Sequence, residues 1–304
     1  MFDVILLYIL LASVFPLSRV GVTTAQPIFF TGVRMAIAGI FLISYFYIRH
    51  SKQFKKYVTL KYLKHWILFA VFNIYLTNVL EFWGLQTLSA AKACFIYNLA
   101  PFFVALFSYI IFREKMTFRK CLGLAIGFAS FIPILIHHSS SEKLISGIPF
   151  LSLAELALLG AAVATAFGWT IMRYVTHTLS YPPILSNGMS MLLGLMLIFP
   201  TSLLFEQWNP VPVYHCKQFA IYVVVIAIVS NILGYNLYAY LLKKYTATFL
   251  SLAGFMSPLF AAVMGWFFLG ETVTWHFFAS SVGVFAGLFI FYREEIRLGY
   301  IGKS

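Results

Sequence analysis

The chain has 304 residues, of which 62% are hydrophobic and 10% are charged, and its mean hydropathy is +0.90. Soluble domains carry about a quarter charged residues, so this composition excludes an ordinary soluble protein. Its apolar runs are continuous, which also excludes the alternating pattern of a membrane β-barrel. Each run approaches the roughly 20 residues that a helix needs to cross a bilayer. We predict an all-α integral membrane protein.

Ten apolar runs follow one another along the chain. They lie at residues 2–20, 27–48, 66–86, 90–112, 118–136, 151–173, 182–204, 218–241, 247–268 and 275–292. An even number of membrane-spanning helices places both termini on the same side of the membrane.

The net charge of +12 lies almost entirely in the connectors between these runs. It therefore indicates membrane orientation, and we predict no nucleic-acid partner. Of the 21 Lys and Arg residues, sixteen fall on the side of the termini, four on the opposite side, and Arg34 lies inside the second span. Basic connectors stay in the cytoplasm. The sequence predicts a multi-pass protein in the lipid bilayer of the cytoplasmic (inner) membrane, with both termini cytoplasmic.

The fourth span is repeated in the ninth. When the sequence is shifted by 157 positions, identical residues fall in register: Ala90 with Ala247, Pro101 with Pro258, Phe103 with Phe260, Ala105 with Ala262, Glu114 with Glu271, and Thr117 with Thr274. Self-similarity at a fixed offset indicates an internal structural repeat. We therefore divide the chain into a first repeat (1–136), an extracytoplasmic linker (137–150), a second repeat (151–292) and a cytoplasmic tail (293–304).

The two repeats are predicted to have opposite orientations in the membrane, because each contains five spans. The connector REKMTFRK in the first half is strongly basic, whereas its counterpart GETVTWHF contains no Lys or Arg. This difference fits ten transmembrane helices arranged as two five-helix inverted-topology repeats. Such repeats are a common basis for alternating access in secondary transporters.

These features resemble the drug/metabolite transporter superfamily, specifically its ten-helix EamA-type members. The resemblance rests on the small-residue starts of the fourth and ninth spans, the central prolines, the closing glutamates, the arginine of the second span, and the glycines of the fifth and tenth spans. Those residues are Ser89, Ala90, Thr246, Ala247, Pro101, Pro258, Glu114, Glu271, Arg34, Gly123, Gly127, Gly283 and Gly287. The resemblance covers essentially the whole chain and implies a secondary transporter, but it does not specify the solute. Arg34 has no arginine counterpart in the second half.

Polar side chains inside the spans are the candidates for a substrate site. Asn73, Thr77 and Glu81 recur every four residues and would share one helix face, with Asn78 beside them. An ionisable group at this depth is costly unless it meets water, a partner or a substrate. We predict a mid-membrane site that binds a small molecule through Arg34, Asn73, Glu81, Tyr97, Asn98, Asn231, Tyr235 and Tyr238. A solvated Glu81 near the helix end is the alternative.

Pro101 and Pro258 interrupt the repeated spans, because proline cannot donate to the helical ladder. We interpret them as hinges near the cavity, with simple packing kinks as the alternative. The G-x-x-x-G motifs of the fifth and tenth spans are expected to pack within one molecule rather than in a dimer. The chain itself is expected to be a monomer or a homodimer.

Three other interpretations concern the ends of the spans. Trp83 and Tyr240 occupy equivalent repeat positions and are assigned to the interfacial aromatic belt rather than to the site. Lys92 is expected to extend its ammonium to the interface. Glu155 is expected to be a first-turn acid, favoured by the helix dipole.

The sequence contains no signal for catalysis, a metal or a cofactor. It has no HExxH or GxSxG motif, its three cysteines form no CxxC, and its histidines fall at or beyond the span ends. We predict that the protein is not an enzyme; a membrane enzyme acting on lipids is a remote alternative.

The predicted site combines an acid, amides and aromatic rings, which suits a cation or zwitterion with a flat ring. Among the substrates of the family, S-adenosylmethionine fits best, because a carboxylate matches its sulfonium and an aromatic face matches its adenine. Exchange for S-adenosylhomocysteine is one form that this transport would take. Transport of an amino acid or another metabolite is the alternative.

Overall fold

The structure is a computed structural model. It describes residues 2–113, 115–130, 144–145, 148–242, 245, 250, 253–254, 256–270 and 275–299. The predictions for Glu114, Glu271, Thr246 and Ala247 lie outside the described residues. So do the predictions for most of the 137–150 linker and for the end of the tail.

The described elements are mainly helical. In the first part of the chain they are α1 (Phe2–Gly21), α2 (Pro27–Arg49), α3 (Ser51–Tyr57), a 3₁₀ turn (Leu60–Tyr62), α4 (Leu63–Phe69), a π-helical segment (Ala70–Leu76), α5 (Thr77–Gly84), α6 (Ala90–Tyr97), α7 (Ala100–Phe112) and α8 (Phe118–Ala129). A short antiparallel hairpin, β1 (Leu144–Ile145) and β2 (Ile148–Ser152), leads into the second part. There follow α9 (Leu153–Arg173), a π-helical segment (Tyr174–Thr178), α10 (Pro183–Phe205), α11 (Cys216–Ile226), a π-helical segment (Ala227–Gly234), α12 (Tyr235–Leu241), α13 (Met256–Leu269) and α14 (Trp275–Arg297).

Within the described residues, seven helical stretches are long and apolar enough to cross a membrane. They are Phe2–Gly21, Pro27–Arg49, Leu60–Gly84, Lys92–Phe112, Leu153–Thr176, Pro183–Phe205 and Cys216–Leu241. The prediction of a multi-pass helical membrane protein is therefore confirmed at that level. The third stretch is helical from Leu60, earlier than the predicted start at residue 66, because the basic connector itself folds into α3 and a 3₁₀ turn.

The fourth predicted span is broken in the middle. α6 ends at Tyr97 with Asn98 as its C-cap residue, and α7 begins at Ala100 with Pro101 in its first turn. Proline suits this position, because an N–H in the first turn would have no helical acceptor. In the ninth span, α13 likewise begins just before Pro258. Both predicted hinge prolines therefore lie at the start of a helix rather than within one.

The helices of the two parts of the chain pack in pairs across its midpoint. α2 packs most extensively against α10, α8 against α14, α9 against α5 and α7, and α1 against α13. The α8–α14 contact brings the two backbones close together: a Cβ atom at Gly287 would lie 2.5 Å from the carbonyl oxygen of Gly123 and 2.7 Å from the backbone nitrogen of Gly127. Small residues four apart permit such an approach. The prediction that the glycine motifs pack within the molecule is confirmed.

A buried ion pair joins the starts of α6 and α9. The Lys92 Nζ atom lies 2.8 Å from Glu155 Oε1, and the two side chains are 11% and 0% exposed. Glu155 also forms a reciprocal cap with Ser152: its carboxylate accepts from the Ser152 N–H at 2.6 Å, and its own N–H donates to Ser152 Oγ at 3.1 Å. Glu155 is thus a first-turn acid, as predicted. The prediction that Lys92 extends to the interface is wrong, because a carboxylate within reach holds its ammonium inside the protein.

A carboxylate from one helix end caps another helix. The Glu206 side chain, which follows α10, accepts from the N–H groups of Ile28 and Phe29 at 2.6 and 2.8 Å and from Ser202 Oγ at 2.6 Å. The Ile28 and Phe29 donors belong to the first turn of α2, where a negative charge is favoured. Partial burial nevertheless raises the pKa of Glu206, and its three hydrogen bonds oppose this shift.

Candidate functional site

A cavity opens between the helices of both parts of the chain. The space in which the centre of a water molecule can move is about 120 Å³. Seven predicted residues line it: Arg34, Glu81, Tyr97, Asn98, Pro101, Tyr235 and Tyr238. The lining also includes residues to which no such role was assigned, among them Tyr8, Asn78, Thr165, Trp169, Ser230, Gly254 and Ser257. The structure therefore brings most of the candidates together around one space.

Arg34 is buried in α2, at 1% exposure, and lines the cavity. Its Nη2 donates to Asn78 Oδ1, and its guanidinium carbon lies 4.5 Å from the centre of the Phe82 ring. Its Nε is buried without a hydrogen-bond partner, and its Nη1 makes no hydrogen bond to any residue that the structure describes. The aromatic ring and the amide therefore fix the guanidinium while leaving donors unused.

Asn78 determines the orientation of Arg34. The Asn78 amide nitrogen donates to the carbonyl oxygens of Asn73 and Ile74, both at 2.9 Å, so its Oδ1 atom turns towards the guanidinium. Both carbonyls belong to the π-helical segment Ala70–Leu76, where the wider turn disturbs the ordinary α-helical ladder. Thr77 contributes similarly, donating from its hydroxyl to the Phe72 carbonyl at 2.8 Å. The irregular helix thus supplies the acceptors that orient the site.

Glu81 lines the cavity from α5 and is 6% exposed. Within the described part of the chain, no donor lies within hydrogen-bonding distance of its carboxylate, although the charge of Arg34 is close enough to attract it. Among the cavity-lining side chains that the structure describes, Glu81 is the one carboxylate and Arg34 the one guanidinium. The cavity therefore presents one positive and one negative group whose hydrogen-bonding capacity is largely unused.

An aromatic cluster forms another part of the cavity lining. The ring of Trp169 lies 4.3 Å from that of Tyr238 at an interplanar angle of 31°, and 5.3 Å from that of Tyr235 at 67°. The sequence did not single out Trp169, which lies in an apolar run and has an alanine at its repeat-related position, Ala12. Trp83 and Tyr240 are instead 44% and 48% exposed on the outer surface, in agreement with the interfacial-belt interpretation.

The remaining polar candidates from the fourth span are held by neighbouring groups. The Tyr97 hydroxyl donates to Thr165 Oγ1 at 2.9 Å. The Asn98 amide nitrogen donates to the Cys94 carbonyl at 2.7 Å, at the end of α6. Both residues thereby bring polar atoms to the break between α6 and α7, where the cavity meets the first turn of α7.

Asn73 and Asn231 do not line the cavity. Both are fully buried between helices: Asn73 Nδ2 lies 3.4 Å from Thr165 Oγ1, and Asn231 Nδ2 lies 3.4 Å from the sulfur of Met35. Each lies in a π-helical segment, so spacing by four residues does not align it with the next turn. Pro258 does not line the cavity either, although Ser257 beside it does. Within the described ranges, no three His, Cys, Asp or Glu side chains are grouped to hold a metal ion.

Comparison with protein families gives a match to the EamA-like transporter family over residues 2–136 and 152–293. One protein of known crystal structure shares the fold over 98% of this chain and 96% of its own, with a TM-score of 0.65 at 17% sequence identity.

Three sequence relatives are also named as transporters. A protein of Chlamydia muridarum, named S-adenosylmethionine/S-adenosylhomocysteine transporter, is 36% identical over 96% of this chain and 91% of its own length. The protein of the same name from Chlamydia trachomatis serovar L2 is 36% identical, with 96% and 89% covered. An uncharacterised transporter of Archaeoglobus fulgidus is 26% identical over 74% of this chain and 76% of its own.

Proposed function

The chain belongs to the EamA-like transporter family, and from this premise we propose that it carries S-adenosylmethionine across a membrane in exchange for S-adenosylhomocysteine. The observation that carries the proposal is the similarity to the two chlamydial relatives over nearly the whole chain. Such extensive similarity includes every helix that contributes to the cavity.

The chemistry of the cavity fits this substrate class. Adenine is a flat aromatic ring, and the Trp169–Tyr238 pair offers it an aromatic face; stacking of a base on an aromatic side chain contributes about 1–3 kcal/mol. Glu81 offers a negative charge to the cationic end of the molecule. A ligand with a ring at one end and charges at the other is the class that this lining favours.

The transport mechanism that we propose is alternating access by ten transmembrane helices in two inverted repeats, residues 1–136 and 151–292. Three observations support the repeat. The family matches the chain in two separate stretches. The π-helical segments Ala70–Leu76 and Ala227–Gly234 begin 157 positions apart, in the register of the sequence repeat. Arg113 and Gly270 are also 157 positions apart, and both are left-handed, with φ of 54° and 66°.

Pro101 and Pro258 are proposed as the hinges of this movement. Each lies in the first turn of a helix, Pro101 directly after the break between α6 and α7, and rotation at a helix start disturbs few backbone hydrogen bonds. The bias of basic residues supports insertion in the cytoplasmic (inner) membrane with both termini cytoplasmic.

Uptake of labelled S-adenosylmethionine into vesicles containing the purified protein would test the proposed substrate. We expect saturable uptake that is faster when the vesicles are preloaded with S-adenosylhomocysteine, because an exchanger returns faster when loaded. Uptake no greater than in empty vesicles, with correctly inserted protein, would refute the substrate assignment.

A matched pair of tryptophan variants tests the role of the cavity. Trp169→Ala is expected to weaken S-adenosylmethionine binding about 5- to 150-fold, the equivalent of about 1–3 kcal/mol of lost stacking. Trp83→Ala, which removes the same side chain from the outer surface, is expected to leave binding within about twofold of the wild type. Equal effects of the two substitutions would argue against adenine binding at Trp169.

A further inference from the structure

We propose that Arg34 and Glu81 together bind the α-amino-acid end of the substrate, Arg34 its carboxylate and Glu81 its ammonium, so that the sulfonium charge is not what the site recognises. The inference rests on the proposed function for the identity of the solute.

The balance of charge in the cavity is the first reason. Among the described residues, the lining contains one guanidinium and one carboxylate, so its charge matches a zwitterion and not a net cation. A site built to hold a sulfonium alone would have no use for a buried arginine, because that charge would repel the ligand. The Arg34–Glu81 pair is complementary to the opposite charges that every free α-amino acid group carries.

The unused donors of Arg34 are the second reason. Its Nε is buried without a hydrogen-bond partner among the residues that the structure describes, and Asn78 and Phe82 hold the guanidinium in place. An unsatisfied buried donor is costly, and a carboxylate is the acceptor that a guanidinium binds best. The unpartnered donor is thus accounted for if its acceptor arrives with the substrate.

The break in the fourth span also favours an anionic group in the cavity. Ala100 and Pro101, in the first turn of α7, line the cavity. The N-terminal end of a helix carries a partial positive charge that favours anions, and broken membrane helices present such ends to the carboxylates of transported substrates. The α7 terminus and Arg34 therefore both favour an anionic group in the cavity.

The two solutes themselves give the last reason. S-adenosylmethionine carries a sulfonium and S-adenosylhomocysteine a neutral thioether, yet both carry the same adenosine and the same α-amino acid group. An exchanger must bind both. The groups that they share are therefore the ones that a single site can recognise, and Glu81 fits the shared ammonium. This replaces the expectation from the sequence that Glu81 pairs with the sulfonium.

Competition with ligands that differ at one end tests the inference on the wild-type protein. We expect S-adenosylhomocysteine to displace labelled S-adenosylmethionine with an affinity within about tenfold of the unlabelled compound. Decarboxylated S-adenosylmethionine, which keeps the sulfonium and the amine, is expected to bind about 10- to 150-fold more weakly, the range for a lost hydrogen bond to a charged group.

Two variants separate the charged residues. Arg34→Gln is expected to reduce the affinity for S-adenosylmethionine to near the affinity for decarboxylated S-adenosylmethionine. The affinity for the decarboxylated compound should be nearly the same in the variant and in the wild type. Glu81→Gln is expected to weaken S-adenosylmethionine and S-adenosylhomocysteine by the same factor, because both lose the ammonium contact. Selective loss of S-adenosylmethionine in Glu81→Gln would overturn the inference and assign Glu81 to the sulfonium.

The outcomes for the substrate and for its recognition are distinguishable. If the wild type binds S-adenosylmethionine and its decarboxylated form equally, the inference is refuted while the proposed function stands. The proposed function fails if neither adenosyl compound binds but methionine does. In that case we expect that neither the amine analogue of methionine, which lacks the carboxylate, nor its deaminated acid, which lacks the ammonium, competes with methionine. The assignment of Arg34 and Glu81 to an α-amino acid group is then supported.

Discussion

Replacing Glu155 with glutamine would leave the Lys92 ammonium facing a neutral amide where water has little access. The two groups are 2.8 Å apart, and the Glu155 side chain is fully buried. Glutamine at the third helical position keeps the reciprocal cap with Ser152, so this substitution removes the charge with little effect on the cap. Lys92→Met is the reverse change and leaves the buried carboxylate without its cation.

The expected loss follows from the burial. Removing one partner of a buried ion pair costs about 3–5 kcal/mol, because the remaining charge stays desolvated. For a chain of this size, a loss of 1 kcal/mol lowers the midpoint temperature of unfolding by roughly 2 °C, so each single variant should have a midpoint roughly 6–10 °C lower than the wild type. Replacing both residues leaves no unpaired charge, so the double variant should be destabilised by less than the sum of the two single changes.

Thermal unfolding of the purified protein at a fixed heating rate would measure these shifts. Ser152→Ala is the control, since it removes one cap hydrogen bond and leaves the ion pair; it should cost about 1 kcal/mol, or roughly 2 °C. Single-variant shifts no larger than that of the control, or strictly additive effects in the double variant, would refute the buried-pair reasoning.

Two further changes test helix contacts. Gly287→Ala places a Cβ atom 2.5 Å from the Gly123 carbonyl oxygen and should destabilise the protein by about 1–3 kcal/mol in the same unfolding assay. The control is Gly160→Ala, whose Cβ atom meets only a leucine methyl at 3.2 Å and which should cost much less. Equal shifts of the two variants would contradict the close α8–α14 contact. Glu206→Ala removes the acceptors of the α2 N-terminus and should cost about 1 kcal/mol. Burial raises the pKa of Glu206 above that of an unfolded glutamate, about 4.3, so the folded state holds this proton more tightly than the unfolded chain. The resulting stabilisation of the folded state is full below a pH of about 4.3 and is lost as the pH rises through the raised pKa. Glu206→Gln should remove that pH dependence. An unchanged dependence of stability on pH in this variant would contradict the role given to Glu206.

The sequence predicted most of the cavity and the seven spans seen in the described residues, because both depend on patterns that occur within single helices. Glu81 was identified by its depth in an apolar run. Asn73 was misplaced because the i, i+4 rule assumes an α-helix, and the π-helical turn at Ala70–Leu76 shifts that face.

The interactions that the sequence did not predict depend on contacts between distant helices. Trp169 has no polar signal in the sequence, and its importance comes from its packing against Tyr235 and Tyr238 on another helix. The Lys92–Glu155 pair joins residues 63 positions apart in sequence. Nothing in either local sequence indicates that the two helix starts meet.

Pairing of helices across the midpoint of the chain has a consequence for its synthesis. Helix α1 packs against α13, which begins at Met256. At about 5–20 residues per second, a ribosome needs roughly 10–50 s after completing α1 to produce that partner. During this time lipid or the insertion machinery must cover the face of α1 that α13 later covers. We therefore expect neither half, produced alone, to reach its final packing, and that packing to be recovered when the two halves are produced together as separate chains.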